Sequence, residues 1–366
     1  MTGATTYDLR KLLRPSAAAL EPYDPAFSPA RINLSANENT FGLPEGVRTR
    51  VAEALAGAVT NRYPKPLSDE LRAEIAAWHG VAPERVIVGN GGDELLFNLF
   101  LALGGRGRRL VTCPPTFTVY KLYAELVETE VVEVPRDAET FEVDVDALVA
   151  AASEATLTIV CSPNNPTGTL FSPADVRRLC AATRGVVLVD EAYIEFAREG
   201  ASAEPLLDEC PNLAVLRTFS KALCLAGARV GYLIGPEDLV SALAAVRQPY
   251  SVNVFSQAAA LEVCRARDEL AATIEEIRAE RERLAAALAG LPDVRVWPSD
   301  ANFLLVRVPG ARRVRERLRD EFSILVRDLS AALDTHDCLR ISVGTREEND
   351  IVIEAMSILI REGDAR

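Results

Sequence analysis

The sequence TFSKALCLAGARVGY occupies residues 218–232 and directly follows the apolar run NLAVLR (212–217). Such a run indicates a buried strand, so Lys221 stands just beyond a strand end, with Arg229 further along the same stretch. A lysine at a strand end can act as a nucleophile that forms an imine with an aldehyde. An ordinary surface lysine is the alternative, and the neighbouring sequence has to decide between them.

Six more apolar runs of this kind occur in the chain, and segments with helical periodicity separate them. The full set is ERVIVGN (84–90), RRLVTCP (108–114), VVEVP (131–135), LTIVCSP (157–163), GVVLVDEAY (185–193), NLAVLRTFS (212–220) and ARVGYLIG (228–235). Apolar strands alternating with helices predict an α/β fold with a mainly parallel seven-stranded sheet buried on both faces. Ligands of such sheets bind beyond the carboxyl ends of the strands.

Two of these strand ends carry polar groups in unusual settings. Asp190 of DEAYIEF (190–196) follows a buried strand, so its charge needs a partner, which could be a cofactor, a metal or a structural arginine. Tyr193 lies three residues further on and can reach the same region. In CSPNNPTG (161–168), prolines and a glycine fix a tight turn that presents the amide of Asn165.

Two further strand ends suggest a phosphate site and a ring-stacking site. GNGGDELL (89–96) places glycines before a helix start, where unpaired N–H groups can bind phosphate. Its acidic pair stands where the final glycines of G-x-G-x-x-G would be, which disfavours a dinucleotide fold. Phe117 of CPPTFTVY (113–120) could stack on a flat ring or could simply pack in the core.

Five strand ends thus offer an amine, a carboxylate, an amide, an aromatic ring and a phosphate-binding turn. Pyridoxal 5′-phosphate needs all five: a lysine for its aldehyde, an acid for its ring nitrogen, and amides, hydroxyls and an arginine for its oxygens and phosphate. The joint occurrence of these groups predicts a site for this cofactor.

The composition excludes several other classes of protein. The 366 residues carry a formal net charge of −13, which argues against nonspecific binding to nucleic acid or to an anionic membrane. Only two histidines are present, so a multi-histidine metal site within one chain is not expected. The seven cysteines contain no C-x-x-C pair and no segment resembles a signal peptide or membrane span, so we expect a cytoplasmic protein with reduced thiols.

We expect two domains from the distribution of these patterns. Residues 31–247 should form a large domain around the seven-stranded sheet. The proline-rich arm 1–30 and residues 248–366 should form the remainder, including a small α+β domain with strands at 302–308 and 338–344. One long amphipathic helix is predicted over 256–290.

The motifs resemble those of the fold-type I, class II aminotransferases, and most closely the histidinol-phosphate aminotransferase family. The resemblance spans nearly the whole chain and rests on strings that occur in the family's order: SANENTFGLP, RYPKP, GNGGDELL, PPTFTVY, SPNNPTG, VVLVDEAYIEF, TFSKALCLAGARVGY, ANFLLVRV, ILVRD and LRISVGTREEND. SPNNPTG, DEAYIEF and SKA-x₃-LAG-x-R are the most specific of these for the superfamily. The sequence departs from the usual pattern at Thr40 and Ser251, where proline and asparagine are common.

The resemblance implies a role for each matching residue around the cofactor. Lys221 would bond to the cofactor aldehyde and move the proton, Asp190 would pair with the ring nitrogen, and Phe117 would stack on the ring. Asn165 and Tyr193 would hydrogen-bond the ring oxygen. The phosphate would be held by Gly92, Asp93, Thr218, Ser220 and Arg229.

It also implies a homodimer and an anionic substrate. Tyr63 of RYPKP would reach the cofactor phosphate of the neighbouring subunit. Arg340, together with Asn165, would bind the substrate carboxylate, and Arg327 would lie near a distal phosphate. The implied reaction converts histidinol phosphate and 2-oxoglutarate to imidazole acetol phosphate and glutamate, in histidine biosynthesis.

Three other functions are compatible with the same motifs. An aromatic amino-acid aminotransferase would place a substrate ring near Arg327 in place of a phosphate. A threonine-phosphate decarboxylase-like lyase would release carbon dioxide without using 2-oxoglutarate. A regulatory module with this fold normally carries a basic DNA-binding extension, and residues 1–30 contain only Arg10, Lys11 and Arg14 as basic residues.

Overall fold

The computed structural model describes residues 8–18 and 28–363, and these form three sheets with helices packed around them. The strands are β1 (Ile32–Asn33), β2 (Val86–Gly89), β3 (Arg109–Thr112), β4 (Glu130–Glu133), β5 (Leu157–Cys161), β6 (Val186–Asp190), β7 (Leu213–Thr218), β8 (Gly231–Ile234), β9 (Arg295–Val296), β10 (Phe303–Arg307), β11 (Ile324–Leu325), β12 (Arg327–Asp328) and β13 (Cys338–Ser342).

The helices lie between these strands and around their edges. They are α1 (Pro15–Ala18), α2 (Glu45–Ala56), α3 (Asp69–His79), α4 (Gly91–Leu103), α5 (Val119–Leu126), α6 (Val145–Ala152), α7 (Pro173–Ala182), α8 (Glu237–Val246), α9 (Val254–Arg265), α10 (Ala271–Ala289), α11 (Ala311–Phe322) and α12 (Arg346–Arg361). None of the helices in the described part of the chain is long and apolar enough to span a membrane.

The largest sheet contains all seven strands that the sequence predicted. Its order is β2-β8-β7-β6-β5-β3-β4, and only β8 runs antiparallel to its neighbours. Alternate residues of each central strand enter different cores: Val187 and Val189 pack on one face of the sheet, and Leu188 packs on the other. Burial of both faces explains why these strands read as continuous apolar runs. The predicted α/β fold with a mainly parallel sheet is confirmed.

A second core forms around the smaller sheet. Strands β9, β10, β13 and β12 are antiparallel, and α10, α11 and α12 supply apolar side chains to the same cluster. Strand β1 joins this cluster from near the other end of the chain, because Ile32 pairs in parallel with Ile324 of β11. The division into residues 31–247 and residues 1–30 with 248–366 stays a prediction.

The single helix predicted over 256–290 is wrong. The structure has two helices there, α9 and α10, separated by a 3₁₀ turn at Arg267–Leu270. Ala260 of α9 packs in the core of the large sheet, whereas Leu288 of α10 packs in the core of the small sheet. The turn redirects the chain so that each helix can bury its apolar stripe against a different core.

The predicted N-terminal arm is only partly described. Residues 8–18 contain a 3₁₀ turn at Leu9–Leu12 and the short helix α1, none of whose residues is buried. Residues 1–7 and 19–27 lie outside the described part of the chain.

Strand β8 passes very close to the first turn of α4. A β-carbon added to Gly231 would stand 2.6 Å from the amide nitrogen of Gly92 and 2.8 Å from the carbonyl carbon of Gly91. Only a glycine at 231 therefore permits this approach, which places the start of α4 beside the ends of the central strands.

We predict that Gly231→Ala lowers the free energy of unfolding by about 1–3 kcal/mol, because the added methyl group displaces backbone atoms of α4. Urea denaturation measures the change. Gly57→Ala is the control, since a β-carbon there would meet only backbone oxygens at 3.7 Å. Equal stability changes in the two variants would contradict the close approach.

Candidate active site

The carboxyl ends of the central strands open into a cavity of about 460 Å³. This volume lies in the range typical of small-molecule sites. Every site residue that the sequence predicted, with the exception of Tyr63, lines the cavity: Gly92, Asp93, Phe117, Asn165, Asp190, Tyr193, Thr218, Ser220, Lys221, Arg229, Arg327 and Arg340. The structure therefore brings together side chains from distant parts of the sequence at one edge of the sheet.

Lys221 lies in the turn that follows β7, which ends at Thr218, and its amine faces the segment around Ala36. Its Nζ donates to the carbonyl of Ala36 at 2.8 Å and lies 5.9 Å from the centre of the Tyr193 ring. Burial, with the positive charge of Arg340 nearby, lowers the pKa of Lys221 to about 8. The neutral, nucleophilic form of the amine is thus accessible near neutral pH.

Asp190 ends β6 and is only 4% exposed. One carboxylate oxygen accepts from the hydroxyl of Tyr120 at 2.6 Å, and the other accepts from the amide of Ala192 at 3.1 Å. Burial raises the pKa of Asp190 to about 6, although both hydrogen bonds oppose this shift. The carboxylate is well suited to a cationic partner in the cavity, because such a partner would compensate the cost of burying its charge.

The first turn of α4 forms an anion-binding corner together with Arg229. The backbone N–H groups at a helix start have no partner within the helix and favour negative charge. Arg229 Nη2 donates to Asp93 at 3.0 Å, and Nη1 donates to the Ser220 hydroxyl at 3.3 Å. Gly91, with a φ of +78°, leaves room for this arginine, because a β-carbon there would lie 2.6 Å from Nη2.

Thr218 and Ser220 occupy the turn that leads from β7 to Lys221. The Thr218 hydroxyl donates to the carbonyl of Val230 at 3.3 Å and accepts from the Ser220 amide at 3.0 Å. These bonds fix the turn, so the hydroxyls and the lysine keep a constant relation to Arg229.

Asn165 and Tyr193 each accept a hydrogen bond, and the donor to Tyr193 is a residue that the sequence did not single out. Asn165 accepts a hydrogen bond from Arg340 at 2.5 Å, and Tyr193 accepts one from Asn37 at 3.1 Å. Burial raises the pKa of the Tyr193 hydroxyl, which therefore stays protonated and can donate. Its ring packs edge-on against Phe303, 5.1 Å between centres.

Arg340 and Arg327 are direct neighbours across the small sheet. They are register partners on the antiparallel strands β13 and β12, and both line the cavity. Like charges that stand directly opposite each other destabilise a sheet, and an anion bound beside both would remove this cost. This wall of the cavity is suited to a substrate carboxylate or phosphate.

Tyr63 lies away from the cavity, unlike the other predicted residues. Its side chain is 81% exposed and stacks on Tyr250 with ring centres 4.6 Å apart. Tyr63 is not among the described residues that line the cavity, so its predicted role depends on a second subunit.

Sequence reasoning missed the N-terminal wall of the cavity and the partner of Asp190. Residues 35–38 line the cavity, and the Ser35 carbonyl accepts from Arg340 at 2.7 Å while Ala36 accepts from Lys221. The motif SANENT contains this segment, and PPTFTVY ends in Tyr120, yet no local pattern indicates their partners. Within the described residues, no group of three or more histidine, cysteine or acidic side chains could hold a metal ion.

Comparisons with known proteins agree with this geometry. The family model described as "Aminotransferase class I and II" matches residues 29–356. A histidinol-phosphate aminotransferase from Roseiflexus castenholzii is 42% identical over 369 residues, covering 94% of this chain and 97% of the relative. One from Prosthecochloris aestuarii is 37% identical over 354 residues, covering 96% and 98%.

A solved structure gives the same result for the fold. The crystal structure of histidinol-phosphate aminotransferase from Sinorhizobium meliloti in complex with pyridoxal-5′-phosphate has a TM-score of 0.86 and 26% sequence identity. The match covers 96% of this chain and 98% of that one.

The chain therefore belongs to the class I and II aminotransferase family, which makes it an enzyme that transfers amino groups with pyridoxal 5′-phosphate as cofactor. Within this family its relatives named above are histidinol-phosphate aminotransferases. The cavity fits the cofactor, since it offers an amine of lowered pKa, a buried carboxylate and a helix start beside an arginine. These three groups match the aldehyde, the ring nitrogen and the phosphate.

We predict that the apoprotein takes up pyridoxal phosphate faster as the pH rises. Because the pKa of Lys221 is lowered to about 8, the amine is mostly protonated at pH 7 and mostly neutral at pH 9. The uptake rate should increase about tenfold over this interval and then level off. The visible absorbance of the bound cofactor reports the rate. A rate still climbing steeply above pH 9 would indicate a lysine of ordinary pKa.

Proposed function

We propose that the enzyme moves an amino group from histidinol phosphate to 2-oxoglutarate, which gives imidazole acetol phosphate and glutamate. The observation that supports this most directly is the pair Arg327 and Arg340. These two residues lie on adjacent strands and line the same cavity as Lys221. Histidinol phosphate carries a phosphate, and 2-oxoglutarate carries carboxylates, so one arginine wall can receive either substrate. The names of the relatives contain the first of these substrates, histidinol phosphate.

Lys221 is the proposed base of this reaction. Bound pyridoxal phosphate supplies an aldehyde for the amines and a ring that withdraws electrons from the carbon next to the nitrogen. Nζ of Lys221 takes the proton from the amine-bearing carbon of the substrate and delivers it to the carbon that was the aldehyde carbon of the cofactor. Its lowered pKa keeps a useful fraction neutral, and its contact with the Ala36 carbonyl fixes its position.

The other cavity residues hold and orient the reactants in this proposal. Asp190 pairs with the protonated ring nitrogen, Asn165 and Tyr193 donate to the ring oxygen, and Phe117 packs on the ring face. The phosphate lies at the start of α4. Its proposed ligands are the amides of Gly92 and Asp93, the hydroxyls of Thr218 and Ser220, and the Arg229 guanidinium.

We also propose that the enzyme acts as a homodimer in the cytoplasm. Tyr63 and Tyr250 form an exposed aromatic pair, and Phe255 at the start of α9 is 46% exposed. Exposed aromatic side chains of this kind are common at protein interfaces, and a second subunit would bring Tyr63 to the neighbouring cofactor phosphate. All seven cysteines are free thiols, which suits a reducing compartment.

We predict that histidinol phosphate is the preferred amino donor and that Arg327 recognises its phosphate. With 2-oxoglutarate as acceptor, glutamate should form faster from histidinol phosphate than from phenylalanine. Arg327→Gln should lower kcat/KM for histidinol phosphate about 10- to 100-fold, the value of one or two charge-assisted hydrogen bonds, and should affect phenylalanine much less.

The control is Arg327→Lys, which keeps the charge but loses the planar guanidinium group. Its kcat/KM for histidinol phosphate should lie between those of the wild type and Arg327→Gln. A faster rate with phenylalanine would indicate an aromatic aminotransferase. Carbon dioxide release from phosphothreonine without 2-oxoglutarate would indicate the lyase.

We predict that two impaired variants restore activity when they share a dimer. Tyr63→Ala should weaken the neighbouring subunit's site, and Lys221→Ala should abolish its own. A hybrid dimer has one site with an intact Lys221 and an intact neighbouring Tyr63, so co-expressed variants should exceed the activity of either alone. Simple averaging of the two activities would show that Tyr63 does not act across an interface.

A further inference from the structure

Tyr120 makes the shortest side-chain contact to the buried acid of the cavity. It lies in the first turn of α5, and its side chain is completely buried. Its hydroxyl donates to Asp190 Oδ2 at 2.6 Å. This length is typical of a hydrogen bond from a hydroxyl to a charged carboxylate. Tyr120 itself does not line the cavity, so it acts on the reactants through residues that do, and its hydroxyl acts through Asp190.

The contact restricts how the Asp190 carboxylate can turn. The Ala192 amide holds Oδ1, and the Tyr120 hydroxyl holds Oδ2. Rotation of the carboxylate about its Cβ–Cγ bond would break at least one of these bonds, and a broken bond at a buried site is costly. The two donors therefore fix the plane in which Asp190 meets a partner in the cavity.

The contact also acts on the charge of Asp190. The titratable groups that interact with this carboxylate are Tyr120 on α5, Asp93 on α4, the nearby Glu191 and Tyr193, and Cys161, its register partner on β5. Burial and the two acidic neighbours raise the pKa of Asp190, whereas the Tyr120 hydroxyl and the Ala192 amide lower it. Without the hydroxyl, a larger share of Asp190 would be protonated at neutral pH and unable to hold a cation.

We propose that Tyr120 is a positioning residue whose hydroxyl sets the direction and preserves the negative charge of the Asp190 carboxylate toward the cofactor's ring nitrogen. The inference rests on the proposed role of Asp190 in the same cavity. The Tyr120 ring also packs edge-on against Phe117, with centres 5.5 Å apart. A single side chain thus supports both the acid and the aromatic wall.

The test uses Tyr120→Phe, which removes the hydroxyl and keeps the ring. We expect the dissociation constant of pyridoxal phosphate to rise about tenfold or more, the loss expected for one hydrogen bond to a charged group. The acidic limb of the kcat/KM profile should move to higher pH, and the pH titration of the bound cofactor's visible absorbance should shift with it.

Tyr232→Phe is the matched control. Tyr232 is also fully buried, and its hydroxyl shares a hydrogen bond with His79 Nε2 at 2.9 Å, but it does not line the cavity. The Tyr232→Phe variant should be less stable than the wild type, but its cofactor affinity and its absorbance titration should not shift. Equal shifts in both variants would overturn the proposal.

A double-mutant cycle separates positioning from packing. In an Asp190→Asn background there is no carboxylate for Tyr120 to orient, so adding Tyr120→Phe should change cofactor binding little. A loss of the same size in that background, or failure of Tyr120→Phe to fold, would assign Tyr120 a packing role and reject the proposal. Cofactor binding needs no amino substrate, so this result is independent of whether histidinol phosphate is the donor.

Discussion

The negative charge of Asp190 is the constraint on which the site depends. A carboxylate that is only 4% exposed is stable as an anion only where donors and a cation compensate for lost water. The end of β6 provides the donors through Tyr120 and Ala192, and a protonated cofactor ring would provide the cation. The same low-polarity surroundings lower the pKa of Lys221, so one environment shifts the pKa of both the acid and the amine.

The large sheet and the small sheet contribute different halves of the cavity. The strand ends of the large sheet carry the groups suited to the cofactor. Residues 35–38 and the strands β12 and β13 carry the groups suited to the substrate. Hydrogen bonds join the halves, from Lys221 to Ala36, from Arg340 to Asn165 and from Asn37 to Tyr193. The groups suited to the cofactor and those suited to the substrate are therefore held in a fixed relation to each other.

Much of this arrangement could be predicted from the sequence, because parallel strands gather their carboxyl ends at one edge. Lys221, Asp190 and Asn165 each follow an apolar run, and the structure places all three at the same cavity. The prediction of one long helix over 256–290 was wrong because periodicity shows that an apolar stripe is buried but not which core buries it. Tyr120 was missed for a similar reason, since only the packing of α5 against β6 makes it a partner of Asp190.

The parallel pairing of β1 with β11 has a consequence for how the protein matures. Ile32 pairs with Ile324, and both Ile32 and Leu34 are buried in a cluster whose other members lie between residues 284 and 360 and are therefore translated much later. They must stay unpaired until those later segments have been translated, and apolar surface that is exposed in this way makes a folding chain prone to aggregation. The wall formed by residues 35–38 is fixed by Ser342 through Asn37, so a growing chain can complete this wall only after residue 342 has been translated.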